Sequence, residues 1–487
     1  MKTAQTNNMI LTNRKLTSLL LFVSILINAL FAVQTHYDIF RNGVDHAAVT
    51  VSNVLTFENI SAEMTKPEFW KVHYKDSDKI IMTSEEIARL NYDMFHSKEC
   101  AMNDLVKFNE KFDPQTILSE ISQNRIPDKD IYIDGEKIDR IEFFGYMQEK
   151  ISGIDTTNDI IKYAVAVQRC DIRLWPTDKT AGYSPDDNDD ELQNSSININ
   201  EPLILTLSVE VNNHTYYWAY STSSSGWVSA DQVAVCSSRS EWLDAWKVDI
   251  DSKDFIVVTE NKITTNISPC SEISEITLPL GTVLKLCPSS ELPEELFGQK
   301  PLHCYAVYLP VRNGDGTYNK SAAFIAQHYS ISVGYLPMTK ANIIDTAFSC
   351  LGERYGWGGM NNSMDCSSFV KSVYSCFGLD IPRDTGNQAM IPVKSKSISD
   401  MNQDNKLRYI CSLPPCSLLI MPNHVAMYLG TVDGESYFIN AHGVNFDREK
   451  GRSNNINTID IITLNSAITK RGSWLEVFTD SVVFEDQ

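Results

Sequence analysis

Residues 355–378 constrain this chain more than any other stretch. A glycine-rich turn, Tyr355-Gly356-Trp357-Gly358-Gly359, runs into Asp365-Cys366-Ser367-Ser368-Phe369-Val370. Phe369, Val370, Val373, Tyr374 and Phe377 then recur at helical spacing, and Gly378 suits the stop. The pattern predicts a helix that begins at Cys366. A helix start presents unpaired N–H groups and partial positive charge. Both favour a thiolate, so the expected pKa of Cys366 is lowered. The same N–H groups suit the oxyanion of a tetrahedral intermediate.

A cysteine nucleophile needs a base. His424 follows Pro422-Asn423 and opens a predicted strand to Leu429, which returns as Tyr437 to Ala441. Asn440 and His442 are two apart on the return strand and share a face. Either could accept a proton from Nδ1 of His424. The register decides what His424 meets. If residues 430–434 form the loop, 424 faces 440; if 431–435 form it, 424 faces 442. A two-residue Asp433-Gly434 hairpin would put both on the wrong face. Asn440 and His442 stand as alternatives.

The chain of 487 residues exceeds what one core organises, so several domains are expected. Its 42 basic and 62 acidic residues leave a formal charge of −20, which argues against nucleic acid as a partner. Lys2, Arg14 and Lys15 precede an apolar run from Leu19 to Val33, the layout of an export signal, with an uncleaved membrane anchor as the alternative. Eleven cysteines in an exported chain would allow five disulfides and one free thiol; the plainer reading is small buried hydrophobes. No Cys/His cluster has zinc spacing, and neither metal nor cofactor is implied.

Residues 35–160 read as mostly helical and irregular, with a helix start at Thr83 and an apolar face of Ile87, Leu90 and Met94. Residues 161–237 read as short strands expected to form a small barrel, and residues 241–337 as a second all-β segment. The acidic stretch Ser184 to Asn200 reads as a long loop, and Asn313-Gly314-Asp315-Gly316 as a turn. From 338 the pattern becomes α then β, with Thr339 capping a helix whose apolar face includes Ile343, Ile344, Ala347 and Phe348.

The Tyr-Gly-Trp-Gly-Gly and Asp-Cys-Ser-Ser-Phe-Val motifs, with His424-Val425-Ala426-Met427-Tyr428-Leu429-Gly430, resemble the NlpC-type papain-like peptidases of bacterial cell walls. Arg173-Leu174-Trp175-Pro176-Thr177 and Gly226-Trp227-Val228 resemble the first of two bacterial SH3-like barrels found in one branch. The segment before them resembles that branch's N-terminal stabilising domain. The resemblance implies an α+β multidomain chain: export segment or anchor 1–33, stabilising domain 35–160, SH3-like barrels 161–237 and 241–337, and a papain-like catalytic domain 338–482.

By the same resemblance Cys366 is the nucleophile and His424 the base. The family's usual Ile-His-Ala appears as Ile439-Asn440-Ala441, which puts Asn440 in the third position with His442 as the alternative. Asp365 is similar to the residue that pairs with a free substrate amine, and Ser367, Tyr355 and Thr385 match positions lining that pocket. Where the family commonly starts the strand before the histidine with Gly-Asp, this chain has Cys416-Ser417. The implied enzyme is exported and monomeric. It hydrolyses the γ-D-glutamyl–diamino acid bond of peptidoglycan stem peptides and prefers a free N-terminal L-Ala. The competing readings are an inactive wall-binding protein and an amidase or acyltransferase on the same fold.

Overall fold

The computed structural model describes residues 48–51, 54–74, 76–187 and 189–485. The apolar run Leu19 to Val33 lies outside them. Among the described residues no helix is long and apolar enough to cross a membrane. All eleven cysteines are free thiols, most of them buried.

The C-terminal part, from residue 338, is built on an antiparallel six-stranded sheet. Its order is Lys394–Ser397, Asp480–Val483, Leu418–Met421, His424–Val432, Glu435–Asp447, Arg452–Thr463. Thr339 caps the helix Lys340–Phe348 through the Asn342 N–H at 3.1 Å. The helix Cys366–Ser375 packs its Phe369, Val370, Val373 and Tyr374 face into the same core as the sheet. Both helices follow the apolar spacing read from the sequence.

The first β segment differs from the expected small barrel. It forms one antiparallel seven-stranded sheet, ordered Val233–Val235, Lys162–Ala166, Pro202–Val211, His214–Tyr220, Ser225–Ser229, Cys170–Arg173, Gln193–Ile197. The two end strands do not pair, so the ring of hydrogen bonds stays open. Both ends have other partners. Val235 bridges to Thr317 in the second β segment. Gln193–Ile197, which lies inside the stretch expected to be a loop, packs on the glycine-rich turn beside Cys366. The second segment also shows no closed barrel; its strands divide into a three-stranded sheet and two hairpins. One hairpin, Cys304–Arg312 with Tyr318–Ala326, turns at Asn313–Gly316 as read from the sequence.

Residues before 160 divide between two cores. Phe57, Trp70, Ile87, Leu90 and Met94 share the core of the C-terminal part, and the helix Ser84–His96 starts with a Thr83/Glu86 capping box. Ile117, Ile121, Phe144 and Met147 pack instead under the seven-stranded sheet with Trp175, Trp218 and Trp227.

Candidate active site

Asp365 is the N-cap of the helix that carries Cys366: its carboxylate accepts from the Ser368 N–H, and the Ser368 hydroxyl returns to the Asp365 N–H. Cys366 is the first helical residue, so its own N–H has no intrahelical partner. The sulfur rests against the start of the histidine strand, 4.0 Å from the carbonyl of Asn423 and facing the N–H of Val425. Those two groups flank His424 in the chain. No hydrogen bond joins the thiol to the imidazole in this state.

The thiol is held up, not down. Cys366 is 5 % exposed. Burial, and then the Asp365 charge, push its pKa to about 11 against the lowering effects of the Val425 N–H, Arg383 and Thr385. The expectation of a lowered pKa counted the helix terminus and could not count the burial. Burial, followed by repulsion from His442, lowers the His424 imidazole to about 3. The resting site is therefore a neutral thiol beside a neutral imidazole.

His424 Nε2 lies 3.0 Å from Oδ1 of Asn440. The expected contact was through Nδ1; here the ring is turned so that Nδ1 is the nitrogen left over. The Asn440 amide Nδ2 donates to Oδ1 of Asp460 at 2.9 Å, so the Asn440 oxygen faces His424 and can only accept. His424 then carries its proton on Nε2 and keeps the Nδ1 lone pair.

His442 does not bond His424. Its Nδ1 meets Oδ2 of Asp460 at 3.2 Å and its Nε2 meets the carbonyl of Val444 at 3.1 Å. Its ring centroid is 6.3 Å from that of His424. Burial raises the Asp460 carboxyl, with His442 and Asn440 pulling it back. Trp474 closes over this group, 5.2 Å from His424 and 5.9 Å from His442 between ring centroids.

The register has a feature the loop arithmetic did not contain. The turn is the two-residue Asp433-Gly434 hairpin, with Val432 opposite Glu435. A bulge between Tyr428 and Gly430 then shifts the pairing by one, so Met427 faces Ile439. The shift restores the face the hairpin alone would lose, and Asn440 reaches His424 on the diagonal.

The four residues expected to line a substrate pocket are near one another, but two are already engaged. Arg383 donates to Asp365 from Nη1 at 3.1 Å and Nη2 at 2.5 Å, and to the Ser367 hydroxyl at 2.8 Å. Asp365 also accepts from the Gly358 N–H at 3.0 Å and the Ser367 hydroxyl at 3.3 Å. With the Ser368 N–H, these donors use every lone pair a carboxylate has. The carboxylate expected to meet a substrate amine is thus held in a dense network of its own chain's donors. The Thr385 hydroxyl adjoins the Cys366 thiol. Tyr355 is partly exposed beside Gly443, and burial, then the Cys366 and Asp365 charges, raise its hydroxyl pKa.

Sequence reasoning missed Asp460, Arg383 and Trp474. Asp460 carried a usable signal, a carboxylate inside the otherwise apolar strand pattern Ile459-Asp460-Ile461-Ile462. Arg383 and Trp474 carried none.

The NlpC/P60 family matches residues 352–460, which contain Cys366, His424, Asn440, His442 and Asp460. The C-terminal domain is an NlpC/P60 domain. Over 108 residues, 22 % of this chain and 35 % of the other, it is 32 % identical to a gamma-D-glutamyl-L-lysine dipeptidyl-peptidase of Bacillus subtilis. A protein of the same name from Bacillus cereus is 28 % identical over 146 residues, 28 % of this chain and 37 % of that one. The chain thus spans about a third of the length of these curated relatives. An NlpC/P60 endopeptidase from Photobacterium damselae subsp. piscicida superposes with a TM-score of 0.65 at 18 % identity, covering 85 % of this chain and 96 % of that one. At that identity the likeness is one of fold, and it extends beyond the NlpC/P60 domain into the segments before it.

Proposed function

We propose that the protein hydrolyses the γ-D-glutamyl–diamino acid bond of peptidoglycan stem peptides, with Cys366 as nucleophile, His424 as base and Asn440 as the orienting residue. One observation carries the roles: the thiol at a helix start lies against the backbone on both sides of His424, whose Nε2 is tied to Asn440. The choice of bond is supported by the names of the relatives, gamma-D-glutamyl-L-lysine dipeptidyl-peptidases.

In the proposed reaction the thiol proton passes to Nδ1 of His424 as sulfur attacks the γ-carbonyl. The Cys366 N–H is available to the oxyanion. The tetrahedral intermediate collapses, and the diamino acid amine leaves with the proton from His424. Water, deprotonated by the same nitrogen, then opens the thioester and returns the thiol. Because the substrate lies outside the cell membrane, the reading includes export through the N-terminal apolar run.

Incubating the purified protein with stem peptides and whole sacculi, with products identified by mass, tests the reading. Release of peptides beginning with the diamino acid by wild type, and none by Cys366→Ala, is the expected result. Release by the variant would show a different nucleophile. The reading includes a preference for a free N-terminal L-Ala whose amine is held by Asp365, so a stem tripeptide is expected to be cleaved faster than its N-acylated form. Equal rates on the two substrates would remove Asp365 from amine recognition. A second reading, a wall-binding protein with an inert thiol, draws on the burial of Cys366. It gains if wild type binds sacculi and releases nothing.

A further inference from the structure

Asp460 sits directly opposite Asn440 in the pairing of Glu435–Asp447 with Arg452–Thr463, so the two side chains share a face. Its two oxygens are divided. Oδ1 accepts from the Asn440 amide at 2.9 Å, and Oδ2 faces Nδ1 of His442 at 3.2 Å. Asn440 is fully buried, so no water competes for its amide.

An asparagine amide is nearly symmetric in shape, and its orientation is set by its partners. Turned over, Asn440 would direct its oxygen at the Asp460 carboxylate and its NH2 at Nε2 of His424. The imidazole proton would then move to Nδ1, and the lone pair needed on the cysteine side would be lost. We propose that Asp460 is a positioning residue for catalysis, holding the Asn440 amide in the orientation that keeps the His424 proton on Nε2. This rests on the reading of Cys366 and His424 as nucleophile and base.

His442 supports Asp460 from behind. Its Nε2 meets the carbonyl of Val444, which can only accept, so that nitrogen carries a proton. The contact between its Nδ1 and Asp460 Oδ2 then needs one further proton, shared within the pair. Phe57 stacks on the ring at 6.0 Å and 29°, and a strand irregularity between His442 and Val444 turns the carbonyl toward it.

The hydrogen-bond inventory selects the variants. In Asp460→Asn the new amide oxygen can accept from Asn440 while its NH2 donates to Nδ1 of neutral His442, so every bond survives. In Asp460→Leu the branching at Cγ is kept, the side chain is somewhat larger, and the acceptor is gone. Turnover of a stem tripeptide is expected to stay within about 3-fold of wild type for Asp460→Asn. For Asp460→Leu, kcat is expected to fall at least about 10-fold with KM nearly unchanged.

Nitrogen-15 NMR of histidine-labelled protein, with His424 assigned by its loss in His424→Gln, reads the tautomer without any turnover. Wild type and Asp460→Asn should show the Nε2–H form, and Asp460→Leu a shift toward Nδ1–H. Wild-type protein with its His424 proton on Nδ1 would overturn the proposal even if Asp460→Leu fails to fold. So would an Asp460→Leu protein that keeps both wild-type kcat and the Nε2–H form. If wild type releases no product, the peptidase reading falls, and the tautomer spectra alone decide the part played by Asp460.

Discussion

Two opposing effects act on the Cys366 sulfur. The helix terminus and Arg383 stabilise a thiolate; burial and the adjacent Asp365 charge oppose it and prevail, with a pKa of about 11. At neutral pH the thiolate is then about one part in ten thousand. Alkylation of Cys366 by iodoacetamide should climb about tenfold per pH unit between pH 6 and 9, because each unit nearer the pKa multiplies the thiolate tenfold. A plateau by about pH 7 would mean a preformed ion pair with His424. Mass spectrometry can follow this site among the eleven cysteines. The placement of the candidate nucleophile and base was legible, since a cysteine at a helix start and a histidine at a strand mouth are local patterns. Their ionisation was not, because burial depends on what packs over them. Asp460 was hidden for a related reason: it meets Asn440 only through the pairing of two long strands.

The histidine strand depends on its bulge. The Tyr74 hydroxyl donates to the carbonyl of Leu429, the residue at the irregularity. Gly430 follows with φ of +124°, and a Cβ there would collide with that same hydroxyl. Gly430→Ala should therefore destabilise the protein by about 1–3 kcal/mol, read as a lower urea midpoint with an unchanged slope. Activity lost with it would show that the register shift positions His424. The sequence reached the hairpin but not the bulge, since the tyrosine that pins it comes from far upstream. Cys416 is a related case. It adopts φ of +69°, in the place where the family commonly has glycine, and its burial leaves it 4 % exposed. The departure seen in the sequence marks a left-handed backbone position.

Across the whole molecule, the NlpC/P60 domain is held by parts outside it. Trp70 is fully buried against Tyr437, at 5.3 Å between ring centroids, and donates to the Met64 carbonyl at 2.8 Å. Trp70→Ala should cost about 3–5 kcal/mol and lower the thermal midpoint of the catalytic core with it. On the other side Arg383, paired with Asp365, also reaches Ser195 of the seven-stranded sheet at 3.0 Å. Burial alone would raise the Asp365 carboxyl, but Arg383 and the Ser368 bonds bring it below the usual carboxylate range. A depressed folded pKa contributes stability above the unfolded carboxylate value and loses it as the pH falls through the folded one. Asp365→Asn should thus destabilise by about 3–5 kcal/mol at pH 7, leaving Arg383 buried with a poorer partner. The difference from wild type in urea unfolding should shrink toward pH 2. A constant difference would mean that the charge is not what Asp365 contributes. Periodicity revealed the catalytic helices and sheet. It could not show that the first β segment leaves its ring open, because the strands at both ends are taken up by neighbours distant in sequence.

The grip of the first β segment on the glycine-rich turn reaches further still. Arg169 donates to the carbonyls of Gly359 at 3.0 Å and Ser363 at 2.7 Å. Gly358 and Gly359 approach Gln193 and Ser196 so closely that neither has room for a side chain. A gene crossover between these two parts would separate Arg169, Gln193 and Ser195 from the turn and the arginine they fit. Lineages that trade such modules would have to exchange matched surfaces together, so the boundary along which this chain folds is not one along which its active site can be inherited piecemeal.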